Sequence, residues 1–122
     1  MTDQDLIFNR RPATAQEMAS FSTALTVLAG KWKLEILWHL SLGTKRFSQL
    51  RRALPRITQH MLTARLRELE ADGMIHRKVY AEVPPKVEYT LSRAAVDLAP
   101  MFAAALEWAY KYSDSLKTDR QG

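Results

Sequence analysis

The chain has 122 residues, enough for one domain with one modest core, and its 47% hydrophobic and 25% charged residues match ordinary globular proteins, not disordered or membrane chains. Eighteen basic against thirteen acidic side chains leave a formal charge of +5, which favours an anionic partner without naming one. Cysteine is absent, which excludes disulfides, thiolate metal sites and thiol redox switches.

No apolar run approaches the ~18 residues of a membrane helix, and Met1 to Asp5 is acidic with no basic region leading into an apolar stretch. A cytoplasmic, nucleoid-associated protein is expected. Residues 1–13 show no sustained period and include Arg10-Arg11-Pro12, so they read as a flexible arm whose arginines suit phosphate or solvent equally. Thr14-Ala15-Gln16-Glu17 has the form of a capping box, and Met18, Phe21, Leu25 and Leu28 follow at helical spacing. A first helix is expected to about Ala29, with Gly30 as its stop.

A second helix is expected from Lys31 to Leu42, with Leu34, Leu37 and Trp38 facing inward beside Ile36 and Leu40. His39 lies within that apolar segment, where a lone histidine is more often packed than a ligand. Ser48 can cap a third helix over Gln49 to Leu54, closed by Pro55, and Thr58 a fourth over Gln59 to Asp72, closed by Gly73. So short a connection forces two helices to cross steeply, which is the helix-turn-helix arrangement. Leu62, Leu66 and Leu69 turn the fourth helix inward and leave His60, Ala64 and Arg67 on the opposite side, with Thr63 at its margin.

Met74 to Tyr80 and Lys86 to Leu91 read as strands of a hairpin whose connection contains Pro84-Pro85. A long helix is expected from Arg93 to Leu116, with a kink or break at Pro100. Ala99, Phe102, Leu106 and Ala109 form one apolar face, and Leu98, Met101, Trp108 and Tyr112 a second. Since one face suffices to cover a small domain, the second implies a partner surface, read as a symmetric dimer that also uses the first helix. Phe21, Leu25, Met101, Trp108 and Tyr112 are the candidate dimer residues. Residues 117–122 read as a frayed tail. The fold expected for residues 14–116 is therefore mainly α with a small β-hairpin: one winged helix-turn-helix domain with flanking dimerisation helices.

A helix in a DNA major groove needs groups that hydrogen-bond base edges, with cations alongside for phosphate. Thr58, Gln59, His60, Thr63 and Arg67 are candidates for the first role. Lys45, Arg46, Arg51, Arg52 and Arg56 supply five charges for the second, with no acid between them. The hairpin adds His76 and the wing candidates Arg77, Lys78 and Lys86, diluted by Glu82 and Glu88. Singly, each has a structural reading: Thr58 caps a helix in any context, and Arg65, Arg67, Glu68 and Glu70 can form a solvated face with weak ion pairs. Together they favour duplex DNA. Catalysis is not expected, because the three histidines are scattered and neither a phosphate loop nor a carboxylate cluster appears. No cofactor or metal is expected either.

Four segments carry a resemblance: LAGKW (Leu28 to Trp32), RFSQLRRALPRIT (Arg46 to Thr58), LTARLRELEADGMIHR (Leu62 to Arg77) and VPPKVEYTLS (Val83 to Ser92). They closely resemble the HxlR family of winged helix-turn-helix transcriptional regulators, similar in architecture to MarR-type regulators. The resemblance implies a homodimer joined by its first and last helices, with the fourth helix in the major groove and a wing around Pro84 and Pro85. It carries the recognition positions onto Thr58, Gln59, His60, Thr63 and Arg67. Many relatives hold a cysteine at or near the place of Ala19, used by some as a thiol sensor. Its absence implies another route of control, such as a small-molecule effector near the dimer helices. Ala95 stands where many relatives have glycine, with a small backbone consequence expected.

The expected function is a non-enzymatic transcriptional regulator that binds double-stranded DNA as a homodimer at an inverted repeat, with half-sites ~34 Å or a multiple apart. Two alternatives stay open: a winged-helix protein-interaction module, and a small-molecule receptor with a pocket lined by Trp32, Trp38, Phe102 and Trp108.

Overall fold

The structure is a computed structural model and describes residues 12–116. The expected arm, up to residue 11, and the tail over 117–122 lie outside the described residues. Among the described residues six helices and one hairpin follow in order: α1 (Ala15–Leu28), α2 (Lys33–Ser41), α3 (Phe47–Ala53), α4 (Gln59–Ala71), β1 (Ile75–Tyr80), β2 (Lys86–Leu91), α5 (Arg93–Val96) and α6 (Ala99–Lys111). This is a winged helix: a helix-turn-helix made by α3 and α4, followed by an antiparallel hairpin.

Thr14 caps α1 through the reciprocal pair expected of the sequence. The Glu17 N–H donates to Thr14 Oγ1 at 3.1 Å, and the Thr14 N–H donates to Glu17 Oε1 at 2.8 Å. Nothing on α1 is buried; it meets the core only through half-buried Val27 and Leu28.

The second helix begins at Lys33, two residues later than expected. Gly30 at φ +117° and Trp32 at φ +82° make the α1–α2 link a turn through the left-handed region, which an α-helix cannot include. For a bulky residue such as Trp32 that conformation costs roughly 1–3 kcal/mol and persists only where the surroundings impose it. The inward face also differs from expectation. Lys33, Ile36, Leu37 and Leu40 are buried, while Leu34 and Trp38 remain 38% and 41% exposed. A single face can hold Ile36, Leu37 and Leu40 together, and Leu34 and Trp38 then fall to its edges.

The third helix starts at Phe47, so Ser48 lies in its first turn and is not its cap. Phe47 packs half-buried against the core, which draws it into the helix, and Gln49 Oε1 accepts from the Arg46 N–H at 2.8 Å. Thr58 does cap α4, its Oγ1 accepting from the Met61 N–H at 3.0 Å, and Leu62, Leu66 and Leu69 are buried as the spacing predicts. They close over Ile36, Leu37, Leu50, Ile57 and Ile75 to form the core. Full burial of each such side chain stabilises the domain by ~1.5–3 kcal/mol.

The hairpin register runs from Ile75↔Leu91 to Tyr80↔Lys86. A third strand position, unseen in the sequence, comes from Lys45: its N–H donates to the Tyr89 carbonyl at 3.1 Å and its carbonyl accepts from the Tyr89 N–H at 2.8 Å. The expected helix over 93–116 is broken at Asp97-Leu98 and ends at Lys111. Pro100 lies in the first turn of α6, where its missing N–H costs nothing, whereas a continuous helix would drive its ring into the carbonyl four residues back. The break also moves Leu98. Instead of joining Met101, Trp108 and Tyr112 on an outer face, it packs on the core with Phe102. Ala95 is buried in α5 with its N–H donating to Ser92 Oγ at 3.3 Å, so a methyl group there fits without strain.

Candidate nucleic-acid interface

The helix-turn-helix brings Gln59, at the start of α4, to Arg51 and Arg52 on α3 around an open depression that Phe47 and Ser48 complete. Thr58, Gln59 and His60 are exposed, as are Arg46, Arg51, Arg52 and Arg56. Lys45, Arg46, Arg51 and Arg52 form no ion pair among the described residues, so their charge remains available to an anion. Lys45 is half-buried because its backbone is tied to Tyr89.

One turn along α4, Thr63 and Arg67 line a second depression of about 270 Å³, between the helix and the hairpin. Phe47, Glu70, Arg77 and Tyr89 complete it. Tyr89 is a member that sequence reasoning missed, although its alternation with Val87 and Leu91 marks it as facing the helices. Burial raises its phenol above the ordinary value of 10.0, assisted by Glu70 and opposed by Arg77 and Arg67. Directly across from it, Arg77 reaches Glu70 at 3.4 Å.

The other wing candidates sit apart from this depression. Lys78 and Lys86 lie over the Tyr80 ring at 4.8 and 4.5 Å from its centroid, and Lys86 pairs with Glu88 at 3.6 Å. Register explains the division, since Ile75, Arg77 and Val79 face α4 while His76, Lys78 and Tyr80 face away.

The four charges read as a possible solvated face of α4 divide three ways. Glu70 joins Arg77, and Arg67 forms no ion pair among the described residues. Arg65 and Glu68 turn to the opposite flank: Arg65 Nε donates to the Lys31 carbonyl at 2.9 Å, and Arg65 Nη1 donates to both Glu68 oxygens at 2.7 and 2.9 Å. Lys33, only 6% exposed, reaches Glu68 at 3.4 Å. Desolvation pushes the Glu68 carboxyl up, but Arg65 and then Lys33 outweigh it and hold the group below its ordinary 4.5.

Away from this surface, Phe21, Leu25, Trp108 and Tyr112 are exposed and Met101 is half-buried. Trp108 and Tyr112 pack ring to ring at 6.1 Å. Between α2, α5 and α6 lies an apolar groove of about 390 Å³. Trp38 and Phe102 line it, but Trp32 packs on the core elsewhere and Trp108 lies outside it, so the four aromatics proposed as one pocket do not come together. Among the described residues no three His, Asp or Glu side chains gather as a metal site, and no helix is long and apolar enough to cross a membrane.

Known proteins share this fold. The chain is 50% identical over 94 residues to YdeP, an HTH-type transcriptional regulator of Bacillus subtilis, covering 77% of this chain and 73% of that one. The reduced form of the redox regulator HypR superposes with a TM-score of 0.74 at 47% identity, covering 78% of this chain and 94% of the other. A MarR-family regulator from Enterococcus faecalis superposes at 0.73 with 40% identity, covering 85% and 94% of the two chains. HypR is a redox regulator by name, whereas the present chain has no cysteine. Residues 27–117 match the HxlR-like helix-turn-helix family, and with the winged helix and these relatives in agreement the chain belongs to that family of transcriptional regulators.

Proposed function

We propose that this protein binds double-stranded DNA sequence-specifically as a homodimer and regulates transcription from an inverted-repeat operator. The observation that carries the reading is the run Lys45, Arg46, Arg51 and Arg52, cations without internal acid partners beside the exposed, polar first turn of α4. In this reading Gln59, His60, Thr63 and Arg67 address base edges from the major groove, and Thr58 presents the helix N-terminus to phosphate. Lys45, Arg46, Arg51, Arg52 and Arg56 contact the backbone, and Arg77, Lys78 and Lys86 act from the wing. Residues 14–116 serve as one domain with dimerisation helices at both ends.

The exposed apolar side chains on α1 and at the end of α6 support self-association, because the described residues leave Phe21, Leu25, Trp108 and Tyr112 between 40% and 57% exposed. Two copies of α4 related by a two-fold axis read half-sites ~34 Å or a multiple apart. The apolar groove between α2 and α6 favours a second feature, a small apolar effector that acts beside the dimer helices.

Selection of the purified chain on random duplex DNA, followed by titration of the enriched site at two salt concentrations, tests the reading. Enrichment of an inverted repeat, with affinity falling steeply as salt rises, is the expected result. Weak binding with no enriched sequence counts against sequence-specific regulation by the isolated chain.

A further inference from the structure

The turn at Gly30-Lys31-Trp32 lies between the two parts that the proposed function requires to be aligned, the dimerisation helix α1 and the reading helix α4. Residues 15–26 of α1 are all exposed, so packing along its length does not set its direction within the chain. The direction is set at its C-terminal end, by Val27 and Leu28 on the core and by the link that follows, where Gly30 and Trp32 both hold positive φ.

What holds that link comes from α4. Arg65 donates to the carbonyl in the middle of the turn while binding Glu68, and Glu68 also holds Lys33 at the start of α2. The Lys33 stem crosses Gly30 so closely that a Cβ there would stand 3.3 Å from Lys33 Cε. Glycine is thus favoured by its φ, and a side chain there would also press on the lysine stem. Helical spacing puts Arg65 and Glu68 on the flank of α4 away from Thr63 and Glu70, so they grip the turn while the hairpin side stays free for Arg77 and DNA.

We propose that Arg65, which holds the Lys31 carbonyl, and Glu68, which holds both Arg65 and Lys33, are positioning residues that fix the angle between α1 and α4 and so set the half-site spacing the dimer accepts. The inference rests on the dimeric DNA-binding reading above. Its leverage is geometric: half of a ~34 Å separation is a ~17 Å arm, over which a ~10° swing displaces α4 by ~3 Å, about one base-pair rise. Charge-assisted bonds to a main-chain carbonyl and a shared carboxylate restrict such a swing where apolar contacts alone would permit it.

The absence of cysteine allows nitroxide labels at Ser20→Cys and Ala71→Cys, both exposed positions. Dilution with unlabelled chain confines the pulsed spin-resonance distance to one protomer. A single narrow distance is expected in the parent, broadened about twofold in Arg65→Ala and in the near-isosteric Glu68→Gln, each read while circular dichroism shows it folded. Arg65→Lys keeps the charge but not the fork, and should broaden the distance as well; a lysine that restores the parent width reduces the clamp to a charge effect and overturns it. In parallel, the selected operator is compared with versions whose spacer differs by one base pair. The parent should discriminate by about tenfold and the variants by much less, with affinity for a single half-site unchanged. Unchanged distances overturn the inference whatever the DNA result, and broadened distances with intact spacing discrimination overturn the link to operator choice. A parent that enriches no inverted repeat defeats the proposed function instead, and the distances still decide whether the clamp exists.

Discussion

Arg77 Nε stands 3.4 Å from Glu70 Oε1, joining the first strand of the hairpin to the last turn of α4. Both side chains are more than a third exposed, so the pair contributes under ~1 kcal/mol to stability. Its larger effect is on charge, because Glu70 neutralises a cation beside the surface proposed to meet DNA. Glu70→Gln should leave the melting temperature nearly unchanged, strengthen binding to all duplexes and steepen the slope of log affinity against log salt by ~0.9 if Arg77 gains one phosphate. A titration series in salt reads this directly, and an unchanged slope removes Arg77 from the backbone contacts.

Gln59 and Arg67 lie in neighbouring depressions on the same surface. Replacing either with Ala should cost ~1–3 kcal/mol on the selected operator and relax selection at one base position if the residue reads a base bidentately. Repeating the selection with each variant distinguishes this from phosphate contact, which would weaken every sequence alike.

Arg51 is exposed on α3 and makes no ion pair among the described residues. Arg51→Ala should weaken operator and random duplex by the same factor and reduce the salt slope by ~1. A loss confined to the operator would move Arg51 into base recognition.

Phe21 is 57% exposed and Trp108 55% exposed in the single chain. Phe21→Asp should produce monomers at micromolar concentration with the helical circular dichroism intact, since neither residue supports the core. Sedimentation equilibrium decides the matter. A dimer that survives both this change and Trp108→Asp places self-association on another surface.

Glu68 is held below its ordinary carboxyl value in the folded chain, so the folded state binds fewer protons than the unfolded one. The stability this contributes is fully present above about pH 4.5, the unfolded value, and is lost as pH falls through the folded value. Because Glu68 is 42% exposed the contribution is under ~1 kcal/mol. Urea melts from pH 6 to 3 should show parent and Glu68→Gln converging at the acid end. Parallel curves would mean that the Arg65–Glu68 bonds do not depend on the carboxylate charge.

Much of the fold was legible because it depends on local chemistry. Thr14 and Thr58 cap the helices they precede, Gly73 stops α4, and the Leu62–Leu66–Leu69 spacing identifies the buried face. Pro100 marked the break in the last helix for the same reason, since a missing N–H and a fixed φ are properties of one residue. The candidate DNA residues were legible as a group, by charge and helix position, although their use by DNA is a proposal.

Tertiary structure decided what depends on which distant groups meet. Nothing local to Lys33 marks it as buried; that requires Glu68, 35 positions away, to offer it a carboxylate. Trp32 carries no signal for a positive φ, and in its turn Arg65 of α4 donates to the neighbouring Lys31 carbonyl. Arg77 and Lys78 are adjacent in sequence and alike in charge, yet strand alternation turns one to Glu70 on the helix and the other to Tyr80 on the far face. The sequence by itself determined the elements, the buried stripe of α4 and the basic helix-turn-helix, because periodicity, capping and charge act over a few residues. Only the tertiary structure decided which of those charges remain free and how α4 is held, because ion pairing depends on distance in space.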